Sequence, residues 1–293
     1  MPQFSPNLYH QFLELPARER FAAAAEIGAT AVEWHFPYVI PKRELKQLLD
    51  DNGLRFIYAV VPANWAKGDY GLAAQPGRGD EFRRTADVAL DYVFEANFHS
   101  LNVSSGRLPD GVERQRCIEC YIENLDYIST QAKGHPVLFV IEGVCNARFP
   151  NYVIQTIGEA AEVASALNRD NVKLVFDTYH LRWEETGPLT TLMDAHLPMI
   201  GHIQVGNAPE RHEPGVGEVD LHHLIEHADR NGYRGWIGLE YYPSKDTWSS
   251  LAWMNRYGFS IEGRPSRATR PAKEFEGSEI EALDTWFRQF EGA

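Results

Sequence analysis

Cysteine is scarce in this chain, with three residues in 293, an odd number and too few for a disulfide framework. A reducing compartment, the cytoplasm, is the expected setting. Basic residues are outnumbered, 28 Lys and Arg against 41 Asp and Glu, for a formal net charge of −13. Nonspecific nucleic-acid binding draws its affinity from clustered Lys and Arg that displace counterions from phosphates, so no nucleic-acid partner is expected. No apolar run approaches the ~18–20 residues that span a bilayer, and the opening MPQFSPNLYHQF has neither the basic region nor the apolar stretch of a signal peptide. No membrane partner is expected either. A G-x-G-x-x-G turn after the first strand is also missing, which removes the usual mark of a nicotinamide or flavin dinucleotide site.

What the chain does have is short, β-rich apolar runs: Phe4–Leu8, Ala31–Trp34, Phe56–Val61, Leu101–Val103, Val137–Ile141, Val172–Phe176, Ile200–Val205 and Trp236–Leu239. Between them lie stretches of helical spacing, at Ala17–Ile27, Glu44–Asn52, Glu81–Ala96, Arg114–Ala132, Ile157–Leu167 and Leu221–Arg230. Continuous apolar strands alternating with helices predict an α/β fold with a parallel sheet covered on its outer face. Eight such units suit a (β/α)₈ TIM barrel, for which about 250 residues is typical. A doubly wound open sheet is the alternative, weakened by the missing glycine-rich turn. The expected organisation is one barrel domain over residues 1–258 and a C-terminal extension over 259–293 with a short amphipathic helix.

Two segments are too long to be plain connectors. Pro62–Gly79, carrying Trp65, Tyr70 and the turn-forming Pro76-Gly77, follows the third strand. Loops there overlie the catalytic face of a barrel as lids, which puts Trp65 among the candidate substrate-binding residues. In the extension, a stretch with Arg264, Pro265, Arg267, Arg270 and Pro271 precedes Ser278 and Glu281, spaced as a capping box. Ile280, Leu283, Phe287 and Phe290 then mark one apolar face of a helix. Docking against its own barrel is expected; a contact between subunits of a homo-oligomer is the other reading.

Four of the predicted strands end in an oxygen-bearing side chain. VLFVI runs into Glu142, VKLVF into Asp177, IGHI into Gln204 and WIGL into Glu240, at separations of 35, 27 and 36 residues. That is about one βα unit each, so a barrel gathers all four at its C-terminal mouth. Three carboxylates held close together repel unless a positive partner joins them. A bound divalent cation supplies that charge, and an all-oxygen set favours Mg²⁺ or Mn²⁺ over a structural zinc.

The stretches FSPNL (4–8), VEWHFPY (32–38), PANWAKGDYGLAAQPGR (62–78), FDTYH (176–180), GHIQV (201–205), EPGVGEVD (213–220) and GWIGLEYYP (235–243) together resemble the hydroxypyruvate isomerases. These belong to the sugar isomerase and epimerase barrels similar to xylose isomerase. The resemblance implies that Glu142, Asp177, Gln204 and Glu240 hold one divalent metal. It further implies that Glu142 and Glu240 exchange protons with a substrate lying between them, and that His180 and Arg211 contact that substrate. The chemistry agrees with this. A proton α to a carbonyl is weakly acidic, and an enediolate stabilised by positive charge allows a 1,2-shift between two acid–base groups without a redox cofactor.

The chain departs from the family pattern after the first glutamate, reading Glu142-Gly143-Val144-Cys145-Asn146 where proline and a later asparagine are usual. Six residues on, where relatives acting on larger ketoses often carry a second glutamate, stands Arg148. An arginine there suits a substrate carboxylate through a bidentate fork. Cys117 and Cys120 sit inside a helical pattern with no second pair, and are expected as helix-face thiols. Cys145 is expected to fill space, and His222, His223 and His227 to lie on a solvated helix face. Glu33 is either a core-lining carboxylate or a partner of the ligands, and His202 shares the face of Gln204 by strand alternation. The expected partner is a small hydroxy-keto acid or sugar. Isomerisation of hydroxypyruvate to tartronate semialdehyde leads, with 2-oxo-tetronate isomerisation and ketose 3-epimerisation behind it. An abasic-site endonuclease and a noncatalytic sugar-acid binder are remote alternatives.

Overall fold

The computed structural model describes residues 1–261 and 281–288. Its strands are β1 (Gln3–Pro6), β2 (Ala31–Val32), β3 (Arg55–Phe56), β4 (Tyr58–Val60), β5 (Ser100–Asn102), β6 (Leu138–Ile141), β7 (Val172–Asp177), β8 (Ile200–Gln204) and β9 (Trp236–Leu239). Seven of them pair in the order β1-β9-β8-β7-β6-β5-β4, with β2-β3 a separate pair, and every pairing is parallel. Single backbone hydrogen bonds close the ring. Leu8 donates to the Glu33 carbonyl at 2.7 Å and Glu33 to Pro6 at 3.0 Å, while Ile57 donates to Val32 at 2.8 Å and Val60 to His35 at 3.0 Å. The result is a TIM barrel whose third strand is split at Ile57 into β3, which pairs with β2, and β4, which pairs with β5.

The helices are α1 (Glu19–Glu26), α2 (Lys42–Asp51), α3 (Gly79–Ala96), α4 (Arg114–Gln131), α5 (Ile157–Leu167), α6 (Thr178–Glu184), α7 (Leu189–His196), α8 (Leu221–Arg230) and α9 (Thr247–Leu251). Each long one presents an apolar stripe to the sheet, as α3 does with Phe82, Ala86, Ala89, Leu90 and Val93. The start of α5 is fixed by a capping box between Thr156 and Glu159, and α3 and α5 end on Asn97 and Asn168 in the left-handed conformation. Helices α6, α7 and α9 were not anticipated. The first of these begins at the end of β7 itself, because Asp177 Oδ1 accepts from the Tyr179 and His180 amides at 2.7 and 3.2 Å. The strand-end carboxylate is therefore also a helix cap.

Cys117 and Cys120 are buried on α4, and His222 packs against the Trp253 ring. Among the described residues no helix is long and apolar enough to cross a membrane. Residues 281–288 are helical, with Leu283 and Phe287 buried in the barrel's apolar core. The Pro/Arg-rich stretch, Ser278, Ile280 and Phe290 lie outside the described residues.

Candidate active site

The floor of the site is organised by Glu33, fully buried inside the barrel. Its Oε1 accepts from Asn7 Nδ2 at 2.8 Å and Gln204 Nε2 at 3.2 Å. Its Oε2 pairs with His202 Nε2 at 2.8 Å and Ser5 Oγ at 3.3 Å. His202 and Gln204 thus share one face of β8, as alternation requires, and meet the same carboxylate. Room for that carboxylate comes from β9: a Cβ on Gly238 would stand 2.3 Å from Glu33 Oε2. With Gln204 Nε2 held by Glu33, Gln204 Oε1 is left buried and without a hydrogen-bond partner among the described residues.

Above the floor stand three carboxylates with different surroundings. Glu142, just beyond β6, accepts from Asn102 Nδ2 at 2.6 Å and Tyr58 OH at 3.4 Å. Burial, reinforced by the charges of Glu240 and Asp177, pushes its pKa well above the usual carboxylate range. Asp177 carries the two α6 amides and a 2.7 Å bond from Arg211, yet burial lifts it to about 6. Glu240 follows β9. Burial pushes it upward too, but Arg211, His35 and His10 outweigh that and hold it far below the ordinary range. His35 Nε2 lies 3.3 Å from Glu240 Oε1, and His10 Nε2 3.9 Å from it. Its other oxygen, Oε2, is buried without a hydrogen-bond partner among the described residues.

Arg211 is the positive centre of this group. One terminal nitrogen donates to both Asp177 Oδ2 and Glu240 Oε1, and Nε donates to the Glu240 carbonyl at 3.2 Å. The loop after β8 delivers it. Asn207 and His212 exchange backbone hydrogen bonds at 2.8 and 3.2 Å, folding the intervening residues back over the mouth. The guanidinium lies 5.0 Å from the Tyr179 ring, and a Cβ on Gly206 would come within 2.9 Å of the Arg211 side chain. Arg211 itself adopts φ +62°, a left-handed conformation uncommon outside glycine and asparagine.

His180, on α6, sits between the carboxylates. Its Nδ1 accepts from the Cys145 amide at 3.2 Å and lies 3.2 Å from Cys145 Sγ, whose thiol burial pushes up to about 11. Burial holds the ring pKa well below its usual value, so it is neutral. With Nδ1 accepting, the proton belongs on Nε2, which faces Glu142 Oε1 at 3.8 Å and Asp177 Oδ2 at 3.9 Å. Glu142, Asp177 and His180 bring ligand atoms within 4.8 Å of one another. The protonated Nε2 suits donation to a substrate oxygen better than coordination. The oxygens of Glu142, Asp177, Gln204 and Glu240 remain as the set that fits a hard cation, since two of them, Gln204 Oε1 and Glu240 Oε2, are buried with no other partner described.

Some of these groups open onto one cavity of about 60 Å³. At roughly 10–15 Å³ per water this is room for about four to six waters. Glu142, Glu240, His180, Arg211, Arg148 and Trp65 all line it, whereas Asp177 and Gln204 are buried behind Arg211 and over Glu33. Arg148 reaches the Tyr242 hydroxyl at 3.3 Å. Trp65 packs edge-on against Phe36 and Tyr70, with centroids 5.0 and 5.3 Å apart, and its buried Nε1 has no partner among the described residues. Sequence reasoning missed Asn102, Tyr58, His10 and His35. The strand-end pattern that singled out Glu142 also fits Asn102, the last residue of β5; His10 carries no comparable signal.

The family model described as xylose isomerase-like TIM barrel matches residues 21–257. Over 258 residues the chain is 38% identical to the 2-oxo-tetronate isomerase of Cupriavidus necator, covering 88% of this chain and 99% of that one. It is 33% identical to the hydroxypyruvate isomerase of Escherichia coli, covering 88% and 100% of the two chains. Among solved structures, a Brucella melitensis protein described as AP endonuclease, family 2 superposes with a TM-score of 0.85 at 36% identity, over 88% of this chain and 99% of that one.

Proposed function

The chain belongs to the xylose isomerase-like TIM-barrel family, and we propose that it is a divalent-metal-dependent isomerase of three- and four-carbon hydroxy-oxo acids. Hydroxypyruvate and tartronate semialdehyde form the leading pair. The identity of 38% to a 2-oxo-tetronate isomerase, against 33% to a hydroxypyruvate isomerase, favours including the four-carbon substrate. The observation that carries the reading is the pair Glu142 and Glu240 lining one small cavity, with environments that drive their proton affinities apart.

A 1,2-shift needs a proton taken from C3 and one returned to C2, while the hydroxyl proton passes from O3 to O2 and the composition stays unchanged. One glutamate takes the carbon-bound proton and the other delivers; the reverse reaction exchanges their roles. His180 Nε2–H is placed to donate to a substrate oxygen. Arg148 is proposed to receive the substrate carboxylate through its fork, because it lines the cavity beside Glu142 and Glu240. Trp65 closes the apolar side of the cavity. Glu142, Asp177, Gln204 and Glu240 would hold Mg²⁺ or Mn²⁺, whose charge stabilises the oxyanions that develop as the carbon-bound proton leaves. Nuclease activity on abasic DNA fits poorly with a net charge of −13 and a cavity of about 60 Å³.

The test is a panel of three- to six-carbon keto acids and neutral ketoses, incubated with Mg²⁺- or Mn²⁺-loaded protein in D₂O and followed by NMR. Deuterium is expected on the carbon α to the product carbonyl, with activity lost to EDTA and restored by either metal. Full activity in metal-free protein, or neutral ketoses turned over far faster than any keto acid, overturns the proposal.

A further inference from the structure

The family model stops at residue 257, short of the helical residues 281–288. Two of that helix's side chains are buried in the core; of two others, one reaches the lid loop over the cavity and one reaches Tyr38, beside a residue that packs on that loop. Asn64 Nδ2 donates to Asp284 Oδ1 at 3.3 Å. The same Asn64 side chain accepts from the Lys67 amide at 3.3 Å and so caps the single turn Trp65–Lys67. One residue therefore joins the C-terminal helix to the turn that begins with Trp65. The second link is aromatic. Trp286 packs on Tyr38 with centroids 5.6 Å apart, and Tyr38 is locked by its hydroxyl donating to Val60 at 2.7 Å. Two residues before it, Phe36 meets the Trp65 ring at 5.0 Å.

We infer that the C-terminal helix is a brace for the substrate lid, with Asp284 and Trp286 acting as positioning residues that hold Trp65 against the cavity. The Trp65 ring is packed by Phe36, Tyr70 and Phe149, while the rest of the turn faces outward. Ala66, Lys67 and Gly68 are exposed, and Gly68 closes the turn at φ +82°. A lid that closes over a small charged substrate excludes water and completes the site. Whatever population of the chain has Trp65 displaced binds substrate less well, so loss of the brace raises the apparent KM in inverse proportion to the closed fraction that remains. Neither Asp284 nor Trp286 lines the cavity, so kcat at saturation should change little. This inference rests on the isomerase reading only for its kinetic arm.

The experiment uses the full chain with Asp284→Ala, Trp286→Ala and Asp284→Asn, the last keeping an acceptor for Asn64. Trypsin cleavage after Lys67, followed by mass spectrometry, reports the lid without reference to activity. Asp284→Ala and Trp286→Ala should each accelerate that cut at least fivefold and raise KM at least threefold, with kcat within twofold of the native value. Asp284→Asn should restore most of both. In a Trp65→Ala background, Asp284→Ala should raise KM no further. Native cleavage rates at Lys67 in folded Asp284→Ala and Trp286→Ala overturn the brace, as does a kcat loss that matches or exceeds the change in KM. If the native protein turns over no keto acid, the isomerase reading falls, while the cleavage result still decides the brace.

Discussion

Glu33 offers the sharpest test of how the floor orients Gln204. Asn7 cannot turn its amide over, because its Oδ1 already accepts from the Tyr9 amide at 2.9 Å. Its Nδ2 must therefore keep donating to whatever stands at Glu33 Oε1. In Glu33→Gln the new amide oxygen has to take that place, which keeps Gln204 Nε2 bonded at the same atom. The new NH₂ then faces His202 Nε2, which must become an acceptor and move its proton to Nδ1. That atom is buried and has no partner among the described residues. One unsatisfied buried donor costs about 1–3 kcal/mol, or roughly 2–6 °C of melting temperature at about 2 °C per kcal/mol. Mn²⁺ affinity should change by less than about tenfold, because Gln204 stays held. Glu33→Ala instead strands Asn7, His202 and Gln204 together, should cost at least about 3 kcal/mol, and should lower Mn²⁺ affinity about 10–100-fold. Thermal unfolding by circular dichroism and Mn²⁺ titration calorimetry read both effects. Equal losses of Mn²⁺ affinity in the two variants refute the argument that Asn7 fixes the amide.

Glu142→Gln and Glu240→Gln each keep an oxygen of similar size and remove a proton acceptor, so kcat should fall by about 10²–10⁴-fold in steady-state assays; near-native turnover in both with metal bound rules out the two-glutamate shift. Asp177 must be ionised to hold a cation and its pKa is lifted to about 6, so protons compete below that value. Calorimetric Mn²⁺ affinity should drop about tenfold from pH 7 to pH 5 through this group alone, and Glu142, also raised, steepens the fall. Arg211→Lys keeps the charge but cannot join Asp177, Glu240 and the Glu240 carbonyl at once, so both kcat and thermal stability should fall; a change confined to KM would place Arg211 on the substrate instead.

Much of the site was legible because a barrel converts periodicity into convergence. Once strands are recognised as apolar runs one βα unit apart, the residue ending each run is placed at one mouth whatever its partners are. This identified Glu142, Asp177, Gln204 and Glu240, and the long third loop identified Trp65. The split of the third strand at Ile57 was hidden, since Phe56–Val61 is apolar throughout and pattern alone does not say which neighbour each half pairs with. Arg211 was pointed to by the family resemblance and not by the strand pattern. Its position depends on a short backbone hairpin between Asn207 and His212 that folds it inward; Asn207 and Pro209 mark a turn there, but not which side chain the turn delivers to the mouth. His10 and His35 reach Glu240 because β1 pairs with β9 and the segment after β2 joins β1 around the ring, contacts between segments remote from Glu240 in the chain.

The three carboxylates differ because their counter-groups are unequally shared. Arg211 serves Asp177 and Glu240 at the same nitrogen, and Asp177 also carries two amides from α6 while Glu240 has His35 at hand. Glu142 receives only an amide and, at longer range, a hydroxyl, from Asn102 and Tyr58. Neutral donors of that kind offset less of the cost of a buried charge than a guanidinium does. Glu142 is thus the carboxylate whose ionisation depends most on what enters the cavity, and Glu240 the one whose charge the protein already supports. Removing that support should widen the difference: Asn102→Asp would take the amide donor from Glu142 and set another acid beside it. If the argument holds, the pH at which the Glu142 carboxyl titrates, read by infrared difference spectroscopy against Glu142→Gln, rises further in Asn102→Asp. An unchanged titration would show that Asn102 does not govern the protonation of Glu142.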